Sequence, residues 1–437
     1  MVAAPTSHSL AWFARHDVPV TEAAHTRGTG PGQRFCFPSG FLWGAATAAH
    51  QVEGGNHNSD WWRSEKLRLV PHRSGAACAS WDRWPEEVEL LRTLELNAYR
   101  MSVEWARIEP EPGRFDQAAL DRYRRMLERL RAAGIEPLVT LHHFTNPLWL
   151  ADRGGWATPD VVPRFASYAD RVGRAFGDLV ESWITINEPN ACGVRGYLRG
   201  DWPPHRTADF RGFWRHLLHS AQAHVAARQA LRARRADARL SVAFACWPLM
   251  PLRRRHVGDQ VTARVCEWLW HGRFLASLVA ALDWIGVNYY TRLHVRWNLH
   301  AAPRPSSPSG GGGQTTDAGW EIYPEGLYHV LRSVGRHGKP VMVTENGLAD
   351  ALDVQRGAFV VAHLRQVQRA IQAGVDVRGY FYWSLLDNFE WTEGYTMRYG
   401  LAHVDFRTRA RSVRPSALLY RDIARASSLM VAREAGR

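Results

Sequence analysis

The sequence predicts an α/β chain folded as a single-domain (β/α)8 barrel, and three observations point there. Short runs of β-forming residues alternate with amphipathic helical segments along most of the 437 residues, the pattern of repeated βα units. The runs number eight, the count that closes a barrel. Two of them lead straight into a glutamate, in Thr185-Ile186-Asn187-Glu188-Pro189 and Val343-Thr344-Glu345-Asn346-Gly347. In such barrels the functional side chains gather where strands end.

Taken in order, residues 1–33 are rich in Thr, Gly, Pro, Ala and His without periodicity and read as a flexible N-terminal extension. Residues 34–430 are expected to form the barrel domain, with 431–437 as a C-terminal tail. The expected strands are Phe41–Ala46, Asn97–Val103, Glu136–His142, Trp183–Asn187, Leu240–Ala245, Asp283–Tyr289, Pro340–Thr344 and Gly379–Ser384. Helical segments separate them. Asp116–Ala133 follows the Pro112-Gly113 turn and spaces Leu120, Tyr123, Leu127 and Leu130 by three or four. The longest loop, Ala301–Thr316 with its Gly310–Gly313 run, falls between strands six and seven and is expected to cover the site.

Composition narrows the function. The formal net charge is +13, but Lys66 and Lys339 are the only lysines, and the arginines scatter over helix-like stretches such as Arg122–Arg131 and Arg228–Arg239. That pattern reads as solvated helix faces, so neither a nucleic-acid nor a membrane partner is expected. Cys36, Cys78, Cys192, Cys246 and Cys266 are odd in number and lack metal spacing, so they read as free, buried thiols in a reducing compartment. The apolar run Leu10–Ala14 is too short for a signal peptide, and a cytoplasmic location is expected. Twenty tryptophans exceed any packing need; some could serve as platforms for sugar C–H faces.

Two carboxylates at strand ends are the minimal equipment for cleaving a glycosidic bond. One must be protonated to help the leaving oxygen depart; the other must be ionised to meet the positive charge growing on the sugar.

The chain resembles the glycoside hydrolase family 1 β-glycosidases from Phe35 to about Ile423. The strings that carry the resemblance run in barrel order: Phe41–Gly54, Asn97–Ser102, Thr185–Pro189, Asp283–Tyr290, Thr344–Gly347 and Tyr382–Trp391. The resemblance implies a retaining, exo-acting β-glycosidase for neutral β-glycosides, with glucosyl, galactosyl and fucosyl residues all open. It implies Glu345 as nucleophile and Glu188 as acid/base, with their carboxyls about 5–5.5 Å apart. It places Arg100 beside the nucleophile, where its fixed charge would hold Glu345 ionised. Tyr290 matches the tyrosine that hydrogen-bonds the nucleophile, Asn187 grips the sugar 2-hydroxyl, and Asn288 supports the same end. Gln51, His143 and Glu390 match residues on the outer hydroxyls, with Trp391 beside them and Trp383 beneath the ring. It implies no cofactor. His142-His143 is not a metal pair, since adjacent strand residues face opposite ways.

Three departures stand out. Phe144 replaces a common tryptophan, Glu104 is an extra carboxylate expected to serve as an ion-pair partner, and Phe274–Asp283 is shorter than in many relatives. Among rivals, a 6-phospho-β-glycosidase is disfavoured because Glu390 would repel phosphate, with no lysine before Arg398. A thioglucosidase would lack Glu188. A transglycosylase stays open, and an inactive sugar-binding barrel would have lost one of the two glutamates.

Overall fold

A computed structural model describes residues 33–297 and 314–431. The N-terminal extension, most of the Ala301–Thr316 loop and the C-terminal tail therefore lie outside the described residues. One compact unit, Phe35–Leu429, holds everything discussed below.

Eight parallel strands close a barrel in chain order: β1 Leu42–Ala46, β2 Ala98–Ser102, β3 Glu136–His142, β4 Ser182–Asn187, β5 Arg239–Ala245, β6 Ile285–Asn288, β7 Val341–Asn346 and β8 Val377–Trp383. The eight expected strands are all present; their ends differ by at most two residues, and Glu136–His142 matches at both ends. Two shifts matter. β7 runs through Asn346, so Glu345 lies inside a strand and not after one. β6 begins at Ile285, because Asp283 is drawn off to Arg232 and to the Leu240 amide.

The interior is apolar because each strand sends side chains alternately inward. Ala46, Ala98, Leu138, Ile184, Ala243, Met342 and Phe381 meet there, with Trp284 from the approach to β6. Small and large residues interdigitate. A Cβ on Gly44 would lie 2.4 Å from the Phe381 ring, so β1 must be bare at that point for the ring to fit. At the mouth, a Cβ on Gly347 would lie 1.9 Å from the Trp383 carbonyl oxygen, and its absence lets the ends of β7 and β8 close together.

The helices follow from local rules. Gln117–Ala132 starts where Asp116 Oδ1 accepts from the Ala119 amide at 3.1 Å, and it buries Leu120, Tyr123, Leu127 and Leu130 as the spacing predicts. Among the described residues, no helix is long and apolar enough to cross a membrane. The cysteines are free; Cys78, Cys192 and Cys246 are buried, whereas Cys36 is exposed.

Candidate active site

All eleven residues singled out from the sequence stand at the C-terminal end of the barrel. Arg100 rises from β2, and His143 follows β3. Asn187 ends β4 and Glu188 follows it; Asn288 ends β6 with Tyr290 two residues on; Glu345 sits in β7 and Trp383 ends β8. Gln51 comes from the short helix Ala49–Glu53 after β1, and Glu390 and Trp391 from the loop after β8.

The two glutamates sit in different settings. Glu345 Oε1 accepts from Arg100 Nη1 at 2.6 Å, and its Oε2 accepts from the Tyr290 hydroxyl at 2.6 Å. Arg100 is itself fixed, donating to Asn187 Oδ1 at 2.6 Å, to the Thr344 carbonyl at 3.0 Å and to Thr140 Oγ1 at 3.3 Å. Glu188 has no such cation; Asn288 Nδ2 donates to its Oε1 at 2.8 Å. The Asn288 amide also bonds Glu345, so one side chain touches both carboxylates.

Burial raises both glutamates above the usual carboxylate pKa, because each charge has left water. Glu188 is pushed up to about 8, first by desolvation and then by the neighbouring Glu345 charge. On Glu345 the same desolvation is opposed by Arg100 and by the Tyr290 hydrogen bond. Two carboxyls so placed titrate as a pair. The guanidinium and phenol favour the charge on Glu345, which puts the pair's proton on Glu188.

The outer end is a polar cluster set against an aromatic wall. Gln51 Nε2 donates to Asn388 Oδ1 at 3.1 Å, to the Phe389 carbonyl at 2.9 Å and to Glu390 Oε2 at 3.3 Å. Trp383 hydrogen-bonds the Glu390 carboxyl. His143 Nε2 meets Asn187 Nδ2 at 3.1 Å, and burial holds the ring well below the usual imidazole pKa, hence neutral. The Asn187 amide donates, so Nε2 accepts and the ring proton sits on Nδ1. Among the described residues, Gln51 Oε1 and His143 Nδ1 are buried without a partner. His143 stacks between Trp383 and Trp391, with centroids 6.0 and 6.2 Å away.

Two expectations need correction. Glu390 was read as a fixed negative charge, but burial pushes it up to about 8, so at neutral pH it is mostly a neutral acid. Glu104 is no ion-pair partner: it caps the helix Trp105–Ile108 by accepting from the Ala106 amide at 3.1 Å and takes the Thr145 hydroxyl at 2.8 Å. Arg398, the nearest cation after Glu390 in sequence, donates to Asp387 and the Val404 carbonyl.

Sequence reasoning missed several supports. His50 stacks on Trp391 at 5.6 Å and is clamped by Glu65 and Asn56. Trp61, Trp202 and Phe144 close a cluster with Trp391. Thr344 donates to Asn288 Oδ1 at 2.6 Å, orienting that amide; its place beside Glu345 in the string was the available signal. Phe144, Glu188 and Trp391 are all non-glycines with positive φ (72°, 43° and 50°), each costing on the order of 1–3 kcal/mol. Glu188 is held in that state by its amide bond to the Ala243 carbonyl at 2.7 Å and by Pro189 opening the next helix. Among the described residues, no group of three or more His, Cys, Asp or Glu could hold a metal.

Comparison with known proteins places the chain in a family. The chain is 33% identical to beta-glucosidase A of Thermotoga maritima, covering 90% of this chain and 98% of that one. It is 32% identical to a beta-galactosidase of Sulfolobus acidocaldarius over 90% of this chain and 96% of the other. The structure of a Thermotoga maritima beta-glucosidase in complex with glucoimidazole superposes with a TM-score of 0.84 at 31% identity, covering 90% of this chain and all of that one. The model of glycosyl hydrolase family 1 matches residues 33–281 and 275–429, two pieces that meet within the segment read as shortened. With its closed barrel and this pair of buried glutamates, the chain belongs to glycosyl hydrolase family 1 and is a glycoside hydrolase.

Proposed function

We propose that the chain removes terminal, neutral β-glycosyl residues, glucosyl foremost, by double displacement. The observation that carries this reading is the unequal setting of the two carboxylates: Arg100 and Tyr290 at 2.6 Å on Glu345, an amide alone on Glu188. Glu345 attacks the anomeric carbon while the glycosidic C–O bond breaks and the Glu188 proton passes to the departing oxygen. Once Glu345 is an ester its charge is gone, and with it one of the two causes that raise Glu188. Glu188 then serves as base, taking a proton from the water that displaces Glu345.

Asn187 lies where it can bind the sugar 2-hydroxyl, positioned by Arg100 and His143. Gln51 Oε1, an acceptor, and His143 Nδ1–H, a donor, are buried without partners, and two sugar hydroxyls would satisfy both. Trp383 and Trp391 supply the apolar wall. Glu390, largely neutral and bonded by Gln51 and Trp383, can donate to or accept from a hydroxyl. Arg398, the nearest cation after Glu390 in sequence, is committed to Asp387 and the Val404 carbonyl and so offers a 6-phosphate no free charge. This argument replaces charge repulsion as the ground for neutral sugars. Relatives named for glucose and for galactose support a grip tolerant of one hydroxyl's orientation.

The test is a panel of nitrophenyl β-glycosides, with kcat/KM for glucoside, galactoside, fucoside and glucoside 6-phosphate, and NMR of the first product anomer. The β-anomer should appear first, and the phosphate should be the poorest substrate. Early α-product would sink the double displacement; a preferred 6-phosphate would sink the neutral-sugar reading.

A further inference from the structure

Of the seventeen large hydrophobic side chains exposed among the described residues, ten fall between positions 210 and 297. They belong to the two helices that flank β5 and to their loops. The helix Phe210–Arg232 exposes Phe210, Trp214, Leu218 and Val225 and contains no Asp or Glu. The helix Val257–Glu267 exposes Val257, Val261 and Val265 in four-residue steps, continued by Trp268. Its inner side is already used: Ala263 packs on Leu249, Leu293 and Val295 of the small two-stranded sheet at the barrel mouth. Trp297 follows the same sheet's second strand, Leu293–Val295, by two residues and is tied to the helix, its amide donating to Asp259 Oδ1 at 2.8 Å. It is still 54% exposed, and Leu252 beside the first strand is 47% exposed.

The charges on this face are of one sign. Arg254, Arg255 and Arg296 are exposed among the apolar side chains. The carboxylates of the helix Val257–Glu267 are withdrawn: Asp259 is fully buried under Arg253, and Glu267 is half-buried. Elsewhere the barrel treats its arginines differently. On the helix Gln117–Ala132, Arg124 pairs with Glu128 and Asp178, and Arg129 with Glu89. There the outer face is charge-balanced and polar; here it is apolar, aromatic and cationic.

We propose that this face, built on the helix Val257–Glu267 with Leu252 and Trp297, docks the barrel mouth onto an anionic lipid surface. That reverses the sequence-based expectation of no membrane partner. Single valines and tryptophans ringed by arginine suit the headgroup boundary, where apolar side chains enter and guanidinium groups meet lipid phosphate. A second copy is a poor occupant, since a two-fold contact would set arginine against arginine. The inference stands on this surface alone and does not depend on which glycoside is cleaved.

Co-sedimentation with vesicles tests it. The full chain should bind vesicles of equimolar phosphatidylglycerol and phosphatidylcholine, lose binding as salt rises, and ignore vesicles of phosphatidylcholine alone. Arg254→Ala/Arg255→Ala should weaken binding roughly thirtyfold, at about fivefold per arginine, and Val261→Ser/Trp268→Ser should weaken it as well. Arg92→Ala/Arg129→Ala removes the same charge from a balanced flank and should change little. Several results would overturn the proposal. These are no vesicle binding, equal binding to neutral vesicles, equal loss in the control pair, or a dimer by light scattering that Val261→Ser/Trp268→Ser dissociates.

Discussion

The mouths of strands β4 and β7 each present a buried glutamate, yet they differ in what surrounds the charge. At β7, Glu345 faces a guanidinium and a phenol, both fixed by further hydrogen bonds. At β4, Glu188 faces one amide and the negative charge of Glu345 itself. Burial raises both; only Glu345 has a cation hydrogen-bonded to it, while Arg100 and Arg195 act on Glu188 without a direct bond. The lesson is that one residue type at equivalent places in a repeated fold takes opposite protonation states because of three or four neighbours.

The sharpest break of that comparison is to remove the better-held carboxylate. Glu345→Gln should lower kcat by on the order of 10^5 to 10^6 on every substrate, since no other group can form the glycosyl intermediate. Retained turnover in single-turnover assays would move the nucleophile elsewhere.

Removing the other carboxylate should be selective. Glu188→Ala should cost about 10^2 to 10^4 on glycosides with poor leaving groups and much less in the first step for activated aryl glycosides. Added azide, a nucleophile that needs no base, should restore turnover and give the β-glycosyl azide. Failure of that rescue in a folded variant would reassign the acid/base.

Softening the contrast should come next in size. Tyr290→Phe deletes a hydrogen bond to a charged group, costing about 1.5–3 kcal/mol, or roughly ten- to a hundredfold in kcat/KM. That bond lowers the Glu345 pKa, so the acid limb of the pH–rate profile should shift upward in the variant. An unmoved limb would show that Tyr290 does not help hold the nucleophile ionised.

The smallest effects are in the wild-type pH dependence. kcat/KM should fall on the alkaline side near pH 8, as Glu188 loses its proton. That limb should persist in Glu390→Gln and vanish in Glu188→Gln assayed on an activated substrate. Stability should move the same way. A carboxyl raised from 4.5 to about 8 binds more protons folded than unfolded in that window. Its contribution is present below the unfolded pKa and is lost as pH rises through the folded one. Glu188→Gln should therefore raise Tm more at pH 8 than at pH 5; an equal gain at both would argue against the raised pKa.

Much of this site was legible in the sequence, because its residues lie in short strings at strand ends, where secondary structure alone brings them to one end of a barrel. Glu188 and Glu345 needed only the alternation of β and α to be placed at one end, whereas Gln51, Arg100, His143 and Asn288 were singled out by the family resemblance of the strings that hold them. Glu104 and Glu390 were misread for one reason: sequence reveals a carboxyl but not its burial or its partners. Glu104 became a helix cap and Glu390 a largely neutral acid once the chain closed around them.

What the sequence by itself determined, then, was the barrel, its order and the identity of the paired glutamates, since these follow from periodicity and local strings. The tertiary structure alone decided which glutamate holds the proton. It also bent Phe144, Glu188 and Trp391 into left-handed backbone and left an unbalanced cationic face beside β5. The physical reason is common to all three. Electrostatic energy and backbone strain depend on distances and burial between residues far apart in the chain, such as Arg100 and Glu345, and no local pattern encodes those.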